Sequence, residues 1–399
     1  MTNRTRRAFR AAAILGTAAL TAGCGSGDAA VLPTATGRAV GSAADGPTTS
    51  AGNATVASTA VASAAPGASP LPSSSPPPPA LTPPVPPVTG PGSVDTSDPD
   101  RVVGIGTPQS CTSEAVVAAV AAGGVIVFDC GPDPVTIAMR ETAKVVNAAD
   151  PRVVLDGGGR VTLSGGGERR ILYQNTCDQA QGWTTSHCND QDHPHLVIQR
   201  LGLADGDATG ESTDGGGGGA VFARGGRLTV VDSTFTGNRC EGTGPDVGGA
   251  AVRALDQSGD RPVLVVRSMF TGGVCSNGGA LSSIGVSWEI VDSTFTGNRA
   301  VGQGANPARA GTPGGGSGGA VYLDGDRFTL SLTGTRIEGN EANEGGGAVF
   351  FVSNDRTGTM RVEGSTLRGN PSRGFETNGF PGVFFLGTRD PEVVGSTLS

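Results

Sequence analysis

The chain has 399 residues, and its formal net charge at pH 7 is −8. This acidic balance disfavours a nucleic-acid partner, because phosphate binding requires clustered lysine and arginine. Glycine accounts for 67 residues, which indicates a fold with many corners where φ is positive or backbones crowd.

Residues 1–23 have the pattern of an export signal. Four arginines precede the apolar run 11–22, which is too short to span a bilayer. Residues 5–9 resemble a twin-arginine motif, although Arg10 stands where that motif prefers an apolar residue. An ordinary basic start of a signal peptide is the alternative, and the export route stays open.

The signal ends in Leu20-Thr21-Ala22-Gly23-Cys24, which resembles the lipobox of bacterial lipoproteins. Thr21 departs from the commonest pattern. The resemblance implies a lipid on Cys24 and a membrane-anchored protein on the extracytoplasmic face, at the cell surface. The alternative is an unmodified cysteine near a cleavage site.

Residues 24–100 are rich in Ala, Ser, Thr, Pro and Gly. Such a tract buries too little apolar surface to offset its ordering entropy, so we expect a disordered linker. Removing residues 1–23 takes away four arginines and no acidic residue, which makes the mature chain more acidic. Residues 101–399 form the one predicted folded domain.

Six cysteines follow Cys24, and export favours their oxidation to disulfides. Cys240 and Cys275 stand at equal offsets after Phe235 and Phe270, which begin two copies of a repeated motif described below. We therefore expect the two cysteines on neighbouring coils of a repeat structure. Proximity then predicts two further pairs, Cys111–Cys130 and Cys177–Cys188.

The loop closed by Cys177 and Cys188 contains Trp183, the one indole that we expect to be displayed to a ligand. His187, His193 and His195 lie near these thiols, so a metal site is the alternative. The spacing matches none of the usual paired zinc ligands, and disulfide formation would use the thiols.

An acidic loop follows. It contains Asp205, Asp207, Glu211 and Asp214, a candidate calcium or ligand loop. No glutamate stands at the twelfth position of an EF-hand register, which is Gly216, so a solvated acidic loop is the preferred interpretation. We expect no firm metal site and no cofactor, with calcium as the alternative.

Two short sequence motifs then alternate toward the end of the chain. The first is Phe-Thr-Gly-Asn, as in Phe235–Asn238 and Phe295–Asn298, and the second is Gly-Gly-Ala-Val. The alanines of the second motif are Ala220, Ala250, Ala280, Ala320 and Ala348. A period near 30 residues with strand chemistry predicts a stacked solenoid.

Alignment of the repeats gives columns of constant chemistry. Two apolar columns, through Leu228 and Val230, are spaced by two residues and predict a half-buried strand, and a third runs through Phe235. These features predict an all-β fold, a parallel β-helix. Arg200, Asp232, Arg267 and Asp292 form a charged column that alternates in sign. We interpret it as register specification, with a substrate-binding strip as the alternative.

A ladder of stacked amides is predicted from Asn238, Asn298, Asn340 and Asn370. At the end of the chain, we expect the segment Phe375–Phe385 to lie against the last coil as a cap.

The run Asp156–Gly165, followed by Phe-x-x-Asn and Gly-Gly-Ala repeats, resembles right-handed parallel β-helix proteins with repeats of the chlamydial polymorphic outer membrane protein kind. These belong to the pectate-lyase-like superfamily. The resemblance implies that the predicted fold is a right-handed parallel β-helix. The resemblance covers residues 101–399 and implies that a short helix, which we place at 113–122, caps the first coil. It specifies the fold and leaves the function open.

Three functions are compatible with this sequence. The leading hypothesis is a surface-anchored protein with an adhesin-like binding role and no catalysis. A polysaccharide lyase or glycoside hydrolase is the second, although the hydrolase signatures of the superfamily are absent from the sequence. A structural spacer is the third. A polysaccharide or another surface molecule is the expected partner besides the membrane.

Overall fold

A computed structural model describes residues 89–147, 151–182 and 184–399. They form a right-handed parallel β-helix, in which every strand pairs in parallel with the equivalent strand of the next coil. The predicted signal peptide, Cys24 and most of the predicted linker lie outside the described residues, as does Trp183.

Three sheets run along this part of the chain. Sheet A consists of Arg101–Val103, Gly124–Phe128, Val135–Ala138, Arg152–Ser164, His195–Ala204, Arg227–Val231, Thr234–Thr236, Val263–Val266, Met269–Thr271, Trp288–Val291, Thr294–Thr296, Thr329–Thr333, Arg336–Glu338, Thr359–Glu363, Thr366–Arg368, Glu392–Val394 and Thr397–Leu398. Sheet B consists of Ala143–Lys144, Leu172–Asn175, Val221–Arg224, Val252–Leu255, Leu281–Ile284, Val321–Gly325, Val349–Ser353 and Val383–Leu386. Sheet C consists of Asp207–Ala208, Arg239–Cys240, Val274–Cys275, Arg299–Ala300 and Glu341–Ala342.

The predicted apolar columns form the core. Val230 pairs with Ile198 on one side and Val265 on the other, and all three side chains are fully buried. In the third column, the rings of Phe235 and Phe270 stack at 4.6 Å between centroids, and those of Phe270 and Phe295 at 4.7 Å. Like side chains therefore stack in register from coil to coil.

The predicted amide ladder is present and buried over Asn298, Asn340 and Asn370, whereas Asn238 lies between glycines of the two neighbouring coils. The Asn298 side-chain amide and its backbone N–H both donate to Asn340 Oδ1, at 2.8 and 2.9 Å, and Asn340 donates in the same way to Asn370. The column contains Gly206 and Gly273 on other coils. A Cβ at Gly273 would lie only 1.9 Å from the Gly279 carbonyl oxygen, so an asparagine cannot fit there.

The helix α1, Ser113–Ala122, covers the start of the core. Its N-cap Thr112 accepts a hydrogen bond from the Ala115 N–H, and Gly123 ends it with a positive φ. Val116 and Val120 are fully buried in the same cluster as Val103 and Ile126. The capping position implied by the resemblance is correct.

The structure contains the three disulfide pairs that the sequence predicts. They are Cys111–Cys130, Cys177–Cys188 and Cys240–Cys275. The last pair joins adjacent coils, with the two Cα atoms 4.8 Å apart, the spacing of neighbouring strands.

Loops lie over the outer face of sheet B. Phe222, Arg253 and Tyr322 point outward between inward-facing residues, yet they are almost completely buried. The Arg253 guanidinium donates to the Asp246 carbonyl at 2.7 Å, and the Asn306 amide donates to the Tyr322 hydroxyl at 2.8 Å. Sheet B thus has a packed layer on both faces.

One prediction about the far end requires correction. Within the segment Phe375–Phe385, residues from Val383 onward form a strand of the last described coil, paired with Val349–Val352, and do not cap it. Phe385 continues the inward column and stacks on Phe351. Phe380, in the turn before this strand, packs against the core.

Candidate binding cleft

The segment Thr89–Asp100, which we name the strap, lies across the outer face of sheet A. The Val94 N–H donates to Gln199 Oε1 and the Gln199 amide donates to the Val94 carbonyl, both at 3.0 Å. The Asp100 carboxylate accepts from the Val125 N–H at 2.7 Å. Residues 89–100 were assigned to the linker from their composition, and the structure packs them on the sheet.

Outward-facing valines explain why the strap lies there. Val125, Val154 and Val197 occupy neighbouring strands at positions where a half-exposed sheet would carry polar residues, and Val94 packs against them. Gly92 passes so close to the sheet that a Cβ would lie 2.9 Å from side-chain carbons of Thr229 and Leu264. These valines were the available sequence signal for a covering segment.

A cleft of about 560 Å³ lies beside the strap at the corner of the first coils. It opens there because four residues, 157–160, stand opposite the single Arg200 of the next coil. The insertion forms one wall, the turn after the strand Gly124–Phe128 forms another, and the strap forms the third. The lining residues are Asp95, Thr96, Ser97, Val127, Phe128, Cys130, Gly131, Asp133, Val135, Asp156, Gly157, Gly158, Arg160, Val161 and Arg200.

Asp156 is the buried anion of the cleft. Its carboxylate accepts hydrogen bonds from Arg200 Nε at 2.8 Å, Thr96 Oγ1 at 2.6 Å and Gln199 Nε2 at 2.9 Å. Burial by itself raises the pKa of Asp156, but the hydrogen bonds outweigh burial, and the pKa lies below its ordinary value. Asp156 therefore stays ionised and joins the strap to two coils.

The remaining lining combines polar and apolar groups. The Ser97 N–H donates to Asp95 Oδ1 at 3.0 Å, and hydrogen bonds from Ser97 lower the pKa of Asp95. Arg160 donates to the Pro132 carbonyl at 3.5 Å, beside the exposed Asp133. Phe128 and Val135 are half-buried and give the cleft an apolar side. This arrangement suits a ligand with both hydrogen-bonding and apolar surface.

The two cleft carboxyls with a shifted pKa, Asp95 and Asp156, do not have the pKa pattern of a general acid. General acid catalysis at a glycosidic bond requires a carboxyl with a raised pKa. The two cleft carboxyls with shifted pKa values, Asp95 and Asp156, are both shifted downward. The chemistry available from these two groups is hydrogen-bond acceptance.

Two carboxylates of the acidic loop form ion pairs with arginines. Asp207 lies 3.7 Å from Arg239, and Glu211 lies 3.5 Å from Arg170, so each carboxylate faces a guanidinium. Asp205 is exposed, and the side chain of Asp214 lies outside the described atoms. Across the described ranges, no group of three or more His, Cys, Asp or Glu residues is placed to hold a metal ion.

The histidine and cysteine cluster is also explained by packing. Cys177 and Cys188 are bonded to each other, and His195 Nε2 lies 3.0 Å from Thr229 Oγ1. Burial, followed by the nearby Arg227, lowers the pKa of His195 to about 4. His195 is therefore a neutral residue of the sheet at pH 7.

Sequence reasoning missed the cleft because its walls come from separate parts of the chain. Asp156 and Arg160 lie in the glycine-rich run 156–165, and Arg200 lies in the charged column. These three residues line one cleft with Asp95 only because the strap crosses the sheet beside them. The insertion of residues 157–160 was the available signal, since it breaks the register of the repeat.

Comparison with known proteins gives one match. The repeat of Chlamydia polymorphic membrane proteins matches residues 292–324, which include the strand Thr294–Thr296 and the motif Gly318–Val321. The chain matches no curated protein and no solved structure. The matched repeat is similar to units of outer-membrane surface proteins, and the matched residues lie within a single coil of the fold, between Val291 and its partner Thr333 on the next coil.

Proposed function

We propose that this protein is an exported β-helix, anchored by a lipid on Cys24, that binds a surface molecule in an adhesin-like role. The cleft beside the strap is the observation that carries the binding role. It is large enough for a small ligand or the end of a longer one, and it presents polar and apolar walls together. The matched repeat supports display at a cell surface.

The anchor and linker complete the proposal. Cys24 follows a sequence with the pattern of an export signal, and in this proposal the proline-rich tract after it separates the membrane from the β-helix. Within the described part of the chain, no helix is both long and apolar enough to cross a membrane.

A polysaccharide lyase or hydrolase is the second candidate. It is favoured by the presence of Asp95, Asp133 and Arg160 in one cleft. The lowered pKa values of Asp95 and Asp156 favour binding over acid catalysis. Release of new reducing or unsaturated sugar ends from a polysaccharide panel, lost on Arg160→Ala, would establish the enzyme.

The test of binding uses the full-length protein on a glycan array and on whole cells, with and without calcium. Arg160→Glu reverses a charge inside the cleft and should lower binding at least tenfold. Arg368→Glu is the matched control, since Arg368 is an exposed arginine of sheet A far along the coils. Equal binding by wild type and Arg160→Glu would place the binding surface elsewhere, and no binding by any variant would favour the spacer role.

A further inference from the structure

The strap is both a wall of the cleft and the direct continuation of the linker. Asp95, Thr96 and Ser97 line the cleft, and the linker joins the strap at Thr89. A pulling force on the linker is therefore transmitted to the cleft by the strap, a segment of twelve residues.

The contacts of the strap are arranged in single file. Arg267 donates to the Thr89 carbonyl at 3.4 Å, Gly92 lies on Thr229 and Leu264, and Val94 is bonded to Gln199. Thr96 then reaches Asp156, and Asp100 reaches Val125. Along the strap, these partners lie on successively earlier coils, from Arg267 to Val125.

This order has a mechanical consequence. A force applied at Thr89 acts on one contact at a time, beginning at the coil of Arg267, because the strap crosses the strands and shares no continuous hydrogen-bond ladder with them. Contacts that break one after another resist less force than contacts that must break together. The outward valines under the strap are uncovered in the same order, from Val197 to Val154 and then Val125.

We propose that the strap is a releasable wall of the cleft, docked when the linker is slack and peeled from its linker end when the linker is under tension. Docking completes the cleft with Asp95–Ser97. Release removes that wall and exposes Val125, Val154 and Val197. A ligand that contacts both strap and coils favours docking, and docking raises its affinity by the same factor. The ligand and the source of tension in the cell rest on the proposed function, whereas the docking of the strap and its release under an applied force do not.

Hydrogen exchange on the full-length protein tests the docking. The Val94 and Val125 amides report on the strap, because each is bonded across its contact with the sheet. Val94→Asp places a charge on the outward valines and should accelerate exchange of both segments at least tenfold, with increased fluorescence of anilinonaphthalene sulfonate. Exchange in Trp288–Val291 should not change.

Ser93→Ala is the matched control, because the Ser93 hydroxyl bonds only locally, to the Gly90 carbonyl at 2.7 Å. Wild-type exchange in the strap at the intrinsic rate of an unprotected amide would overturn the proposal. So would equal exchange in wild type and Val94→Asp.

Optical-tweezers pulling on the two chain ends tests the response to tension. We expect a reversible step of up to about 40 Å, the contour of twelve residues, below the force that unravels the coils. The step should be absent in Val94→Asp and present in Ser93→Ala. A first event that is the unravelling of coils in all three proteins would disprove release by tension, whatever the binding assays show.

Discussion

At the scale of single residues, the corner of sheet A explains the charged column. Arg200, Asp232, Arg267 and Asp292 all have φ between 46° and 49°, in the left-handed region. Later coils place Gly334, Gly364 and Gly395 at this corner, with φ from 56° to 60°. Glycine adopts this conformation without a steric penalty, whereas an arginine does not.

Charge pairing accompanies this strained backbone. Arg267 donates to both oxygens of Asp232, at 2.7 and 2.8 Å, and Arg200 donates to Asp156 of the preceding coil. The alternating charges in the sequence therefore form one ion pair within the column, between Arg267 and Asp232. Arg200 pairs instead with Asp156 in the cleft. The alternation was visible in the sequence. The left-handed backbone was not, because arginine is uncommon there and gives no signal.

Substitution of Arg267 separates pairing from backbone strain. Arg267→Ala and Arg267→Gly lose the same ion pair, but only glycine relieves the left-handed strain. We expect the glycine variant to be more stable than the alanine variant by about 0.5–1 kcal/mol in urea unfolding. At Arg299, an exposed strand residue, the order should reverse, because glycine weakens strands. The same order at both positions would contradict this account of the corner.

At the scale of elements, the amide ladder and the strap differ in how far the sequence predicts them. The ladder follows from asparagine recurring at one position of the last three repeats, so the sequence was sufficient. The strap has the composition of the linker, and its docking depends on valines more than 25 residues away along the chain. A local pattern cannot report such a contact, although the outward valines indicate that something covers them.

The ladder makes a prediction about buried hydrogen bonds. Asn340→Ala removes the oxygen that accepts from the Asn298 backbone and side chain, and the amide that donates to the Phe295 carbonyl at 3.1 Å. Because these partners are buried, we expect a loss of about 3 kcal/mol in the free energy of unfolding. Asn354→Ala, at an exposed asparagine, should cost less than about 0.5 kcal/mol. Equal urea midpoints for the two variants would show that the ladder adds little stability.

At the scale of the whole molecule, the repeat determines the fold and the interruptions of the repeat determine the site. The coils from Phe235 onward keep one register, and the sequence predicts their columns directly. The cleft lies where residues 157–160 break that register and where a segment from before the first coil crosses over it. A repeat-based alignment describes the regular coils and therefore leaves the cleft out.

In the proposed function, the release of the strap depends on the lipid anchor on Cys24. A strap that responds to tension requires a linker that is fixed at its other end. Cys24→Ala should abolish incorporation of a labelled fatty acid and move the protein from the membrane pellet to the soluble fraction. The reason is that Cys24 supplies the thiol for lipid attachment in the lipobox-like sequence. Ser26→Ala, two residues later, should leave both properties unchanged. A Cys24→Ala protein that still sediments with membranes would mean that a different contact holds it there, and that the strap is loaded through that contact.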